Sequence, residues 1–204
     1  MQFKASASLA VAALQFLLLF PGASYAAPID APKFHRELYK LHQQTIKGKT
    51  LRLEETEGQY QGSAAGSYGF KDTRYIDAVS GRLLSHVIRD RDRPDAIHIV
   101  EVNIYDESGR IVRDFGSVTL PTAPERPIRT FINFHQYNKG LHSFRQFDYD
   151  GEITYESCRG MLGNSKVNIS LDGLDINLAV MSKPEYKACF EGIKTDWANY
   201  AVPH

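Results

Sequence analysis

The side chains best placed to do chemistry cluster in residues 130–155, where Asn133, His135, Tyr137, Ser143 and Arg145 are interleaved with aromatic residues. Alternation of apolar and polar residues on either side of Asn138-Lys139-Gly140 reads as two antiparallel strands joined by a tight turn. Glycine at the third loop position favours a three-residue bulged turn, which sets Tyr137 opposite Leu141, His135 opposite Ser143 and Asn133 opposite Arg145. One face then displays Asn133, His135, Ser143 and Arg145 among Phe131, Tyr137, Leu141 and Phe147. Amide, imidazole and guanidinium donors between aromatic walls suit a small anionic or sugar-like ligand, because the donors fix its orientation while the walls exclude water. The other face carries Ile132, Phe134 and Phe144 with Gln136, His142 and Gln146. Ordinary cross-strand packing with polar tips accounts for the same pattern without a ligand.

Other chemistry has less behind it. His135 and His142 would share a face only across a two-residue turn, and the bulged register separates them. His86 and His98 are a second candidate pair across a hairpin. Neither pair has a third ligand at diagnostic spacing, so no metal or other cofactor is expected. The chain has no GxSxG elbow, no HExxH, no phosphate-cradling glycine loop and no Cys-His nucleophile pattern, and no catalytic residue is assigned. Asp106, Asp148 and Asp150 are accounted for by turn formation.

The scaffold that must hold this hairpin reads as a succession of further hairpins. Asp106-Glu107-Ser108-Gly109 places Asp at the first position of a type I turn and Gly at the fourth. Asp148-Tyr149-Asp150-Gly151 repeats it, and Asp77-Ala78-Val79-Ser80-Gly81 is one residue longer. Residues 97–105 alternate as a strand whose charged, proline-bearing neighbour at 89–95 reads as an exposed hairpin tip. Residues 122–127, with Pro124 and Pro127, read as an irregular crossover. Residues 167–171 and 174–178 flank Asp172-Gly173 so that every apolar side chain falls on one face, which predicts a hairpin. Residues 51–57 could be a strand, and the glycine-rich stretch 58–69 reads as loop and short edge pieces.

Helices are predicted at both ends. Asp30 caps a short helix in which Phe34, Leu38, Leu41 and Ile46 share a face, ended by Gly48. Ser182-Lys183-Pro184-Glu185 starts a second, with Tyr186, Cys189, Phe190, Ile193 and Trp197 as its apolar stripe. That stripe puts Cys189 where a strand carrying Cys158 can meet it, and a Cys158–Cys189 disulfide is expected to stabilise the fold by about 3 to 4 kcal/mol. The expected fold is α+β and predominantly antiparallel β: a curved sheet or up-and-down barrel-like meander of hairpins with an N-terminal and a C-terminal helix.

The first 26 residues have the order of a secretory signal peptide: Lys4, an apolar run at 9–20, Pro21-Gly22, then Ala23-Ser24-Tyr25-Ala26. The apolar run is shorter than the roughly 20 residues a membrane span needs. Residues 27–204 are expected to form a single β-rich domain. Removing Lys4 leaves one more acidic than basic side chain, so no long-range field favours nucleic acid or an anionic membrane. No cysteine near residue 26 could accept a lipid, and the short n-region favours the periplasm over the cell exterior. Asn168-Ile169-Ser170 matches a glycosylation acceptor. The expected function is an exported soluble binding or accessory module with a small molecule or protein as partner. The alternatives are a small periplasmic enzyme using a His/Arg site on the aromatic face, and an assembly or inhibitor protein acting through its sheet edges.

Overall fold

Asp30 and Pro32 start the chain's first element as their types require. In the computed structural model, which describes residues 30–62, 66–190 and 192–193, helix α1 (Ala31–Ile46) begins with the Asp30 carboxylate accepting the Lys33 N–H at 2.9 Å. Phe34, Leu38 and Leu41 turn one face inward, and His35 and His42 go with them. The predicted signal peptide and Trp197 lie outside the described residues.

Nine strands follow: β1 (Leu51–Gly62), β2 (Gly66–Asp77), β3 (Leu83–Asp90), β4 (Ile97–Tyr105), β5 (Ile111–Leu120), β6 (Ala123–Asn138), β7 (Leu141–Phe147), β8 (Ile153–Leu162) and β9 (Ser165–Asp172). Each pairs antiparallel with the next, in the order β1 to β9. The first and last strands do not meet, so the sheet is an open meander and not a barrel. Turn chemistry explains the simple order. Asp106 accepts from the Arg110 N–H and the Ser108 hydroxyl, while Gly109 takes the left-handed conformation at φ 84°. At the β3–β4 tip, Asp90 accepts from the backbone of Asp92 and Arg93 and from the Arg93 guanidinium.

One face of the sheet carries the helices. Val87, Val100, Val102, Phe115, Ile132 and Phe147 bury against Phe34, Leu38 and Leu41 of α1. A second cluster joins Leu141, Cys158 and Val167 to Tyr186, Cys189, Phe190 and Ile193. Cys158 and Cys189 are disulfide-bonded with their Cα atoms 6.0 Å apart, which fastens the C-terminal helix to the sheet.

Four segments differ from the sequence expectation. Residues 174–178 are not a strand: Asn177 Oδ1 accepts from the Ala179 and Val180 N–H groups and caps helix α2 (Leu178–Met181). A side chain that satisfies two helix-start donors outweighs strand alternation there, leaving Leu174 and Leu178 largely exposed. The β8–β9 hairpin turns instead at Gly163-Asn164, with Leu162 opposite Ser165. Residues 122–127 are not a crossover, because β5 and β6 pair directly and shifts of register take up the prolines. Helix α3 (Pro184–Phe190) is shorter than its apolar stripe suggests, since Gly192 turns the chain at φ 83° while Ile193 still buries. Residues 51–57 are a strand as expected, but it runs on, and residues 51–62 and 66–77 form one long hairpin where 58–69 read as loop and short edge pieces.

Candidate functional site

Lys139 and Gly140 both adopt left-handed backbone, at φ 49° and 82°, so the β6–β7 connection is a two-residue turn. Asn138 then faces Leu141, Tyr137 faces His142, Gln136 faces Ser143, His135 faces Phe144 and Phe134 faces Arg145. Compared with the predicted bulged register this is a slip of one residue, which sends one strand's side chains to the opposite face relative to the other's. The slip is driven by the core: it sets Ile132 opposite Phe147, both fully buried on the helix-bearing face. The bulged register would expose one of them. That burial outweighs the cost of about 1 kcal/mol for a left-handed lysine.

The five residues expected to form one site therefore divide. Ser143 and Arg145 lie beneath α3. The Ser143 hydroxyl donates to Cys189 O at 2.6 Å. Arg145, 2% exposed, donates from Nε to Glu156 Oε1 at 2.5 Å and from Nη1 to Ile193 O at 3.1 Å, with its guanidinium 5.3 Å from the Phe190 ring centre. Tyr186 donates to the other Glu156 oxygen at 2.8 Å. Burial, reinforced by that carboxylate, pushes the Tyr186 phenol up to about 12. These contacts hold the C-terminal helix down and commit Arg145 to the inner face.

Asn133, His135 and Tyr137 stay together on the outer face, where the observed register brings His142 to them. Asp114 of β5 accepts from Asn133 Nδ2 at 2.6 Å through one oxygen, and its other oxygen lies 2.7 Å from His135 Nε2. His135 Nδ1 is 3.0 Å from His142 Nε2. Gln146 donates to Asn133 Oδ1 at 3.0 Å, which fixes the Asn133 amide with its nitrogen toward Asp114. The His142 ring lies parallel to Tyr137 at 4.5 Å, and the Arg110 guanidinium covers Tyr137 at 4.7 Å. Burial, with His135 and Arg159 adding to it, holds His142 below the ordinary imidazole value.

At the end of this row lies a cleft of about 400 Å³, lined by Arg110, Tyr137, Lys139, His142 and Arg159 with the backbone around Gly140. The register accounts for its composition, because Tyr137, His142 and Arg159 sit side by side on β6, β7 and β8. Arg110 is held in place by Asp106 at 2.9 Å. The sequence alone did not single out Arg110, Asp114 or Arg159, and the bulged register placed His142 on the face opposite His135, whereas the two-residue turn brings them together. The available signal was the alternation of β5 and β8, which puts Asp114 and Arg159 on the outer face once the strand order is known.

Among the described residues, no three His, Cys, Asp or Glu side chains are grouped to hold a metal ion. His86 and His98 do not face each other. His86 lies opposite Glu101 and bonds to Glu101 and Asp72, which raise its pKa, the Glu101 contact foremost. The His98 ring is buried 3.9 Å from Asp90, neither of its nitrogens is hydrogen-bonded among the described residues, and burial lowers its pKa. Two further buried histidines join α1 to the sheet: His35 Nδ1 lies 2.9 Å from Ser117 Oγ, and His42 Nδ1 lies 2.7 Å from Ser85 Oγ. Among the described residues, no helix is long and apolar enough to cross a membrane. No protein-family model, curated protein or solved structure matches the chain.

Proposed function

We propose that this protein is an exported binding module whose outer-face cleft takes a small anionic ligand. The observation that carries the reading is the lining of the cleft: three cationic side chains, Arg110, Lys139 and Arg159, and no carboxylate. Its volume suits a small molecule. Arg110 is already oriented by Asp106 and by the Tyr137 ring, so little side-chain entropy is lost when an anion arrives. Export is supported by the signal-peptide pattern of residues 1–26 and by the Cys158–Cys189 disulfide, which suits an oxidising compartment such as the periplasm. Titration with sulfate, phosphate and small dicarboxylates tests the reading. Arg159→Ala and Arg110→Ala should each weaken binding about tenfold, the usual consequence of losing a charge-assisted contact. Unchanged affinity in both variants would overturn it.

One observation favours a second reading, a small enzyme at the same cleft. Asp114, His135 and His142 form a hydrogen-bonded series ending at the cleft, an arrangement able to accept and return a proton as general acid–base groups do. Turnover of a bound anionic ester that is abolished in His142→Gln would establish it over simple binding.

A further inference from the structure

We infer, resting on the anion-binding reading above, that the cleft binds its anion together with one proton, taken up from water by the His142–His135 pair. The direction of each hydrogen bond fixes where the protons of the series lie. Asp114 receives the Asn133 amide on one oxygen and His135 Nε2 on the other. An ionised carboxylate has no proton to give, so His135 Nε2 is the donor. Neutral His135 then has only a lone pair at Nδ1, and His142 Nε2, 3.0 Å away, must donate to it. Neutral His142 is left with its own lone pair at Nδ1, for which the described residues supply no partner.

In its uncharged form the series thus ends in an acceptor, at a cleft whose charged side chains are all cationic. A fully ionised anion offers only acceptors, so acceptor would meet acceptor. One proton added at His142 Nδ1 converts that atom to a donor and adds a positive charge beside the ligand. The proton comes from water or a buffer acid, and no other bond forms or breaks.

The groups around His142 decide the sign. Arg159 on β8, Arg110 in the turn before β5 and Lys139 in the β6–β7 turn oppose a further positive charge in the cleft. His135 and Tyr137 face it from β6, and Asp114 lies beyond His135. Asp106 is engaged by Arg110. A bound anion offsets the repulsion from the three cations, so anion binding and protonation favour one another, and linkage makes the coupling mutual. Burial foremost, then the His135 and Arg159 charges, lowers the pKa of His142, and a bound anion would offset the Arg159 part.

Sulfate is a suitable probe because it carries two charges across the whole range used, so any pH dependence belongs to the protein. The disulfide-intact protein is titrated calorimetrically at constant ionic strength between about pH 8 and 5.5, in two buffers of different ionisation enthalpy. Affinity should rise at least about tenfold toward acid, with proton uptake approaching one per sulfate bound. His142→Gln should still bind sulfate, but with no proton uptake and a flat pH profile. Flat binding by the unmodified protein, or a His142→Gln profile that keeps its slope, would overturn this inference and leave the anion cleft standing. Absence of sulfate binding at every pH would remove both.

Discussion

Acid should loosen helix α1 from the sheet through His42, and the size of the effect follows from the structure. His42 is 2% exposed, bonded through Nδ1 to Ser85 Oγ, stacked on Tyr39 and set edge-on to Tyr75 at 4.6 Å. Burial, with the nearby Arg89 charge adding to it, lowers its pKa to about 4 from the ordinary 6.5. The native protein therefore binds fewer protons here than the unfolded chain does. Stability is fully retained above pH 6.5 and is lost as pH falls from there toward 4. At pH 5 these two values correspond to a loss of about 2 kcal/mol from this side chain, a large part of the stability of a small domain. His35 and His98, both lowered by burial, act in the same direction. Urea unfolding at about pH 7.5 and 5 measures the loss, with His42→Asn as the comparison because its amide can still reach Ser85 but does not titrate. The variant starts less stable, having lost ring contacts, and its further loss on acidification should be smaller than the native protein's by about 2 kcal/mol. Equal losses in the two proteins would refute the assignment of acid sensitivity to His42.

Glu156→Gln should destabilise the fold by about 3 to 5 kcal/mol in chemical unfolding, because Arg145 is left as a buried charge. The double variant Arg145→Met with Glu156→Leu should recover much of that loss. Reduction of the Cys158–Cys189 bond should lower stability by about 3 to 4 kcal/mol, read from the unfolding midpoint with and without reductant. Gly140→Ala should cost more than about 1 kcal/mol, since Gly140 sits at φ 82° and an added Cβ would come within 3.3 Å of Met161 O. Urea unfolding checks this, and a neutral result would contradict the two-residue turn.

What the sequence revealed of the fold was whatever is decided locally. Asp106 through Gly109 specify their turn from within, and so do Asp30 with Phe34, Leu38 and Leu41 for α1. Cys158 and Cys189 could be paired because a helical stripe and a strand each fixed one partner's orientation. The β1–β2 hairpin was illegible for a physical reason: β1 is exposed on both faces, with Leu53 half exposed, so burial imposes no alternation on it. Asn177 shows local signals in conflict, as it alternates like a strand residue yet caps a helix. The site was lost at Lys139. A lysine in left-handed backbone carries no compositional mark, and its choice is made by Ile132 and Phe147 meeting in the core. That one-residue slip removed Ser143 and Arg145 from the outer face and brought His142 into it.

Anion binding at the outer-face cleft is the central claim. Backbone and arginine side-chain NMR shifts followed during a sulfate titration test it most directly. An anion held in the cleft should give saturable shifts confined to Arg110, residues 137–142 and Arg159. Shifts that never saturate, or that gather elsewhere, such as beneath α1 or along β9, would contradict it.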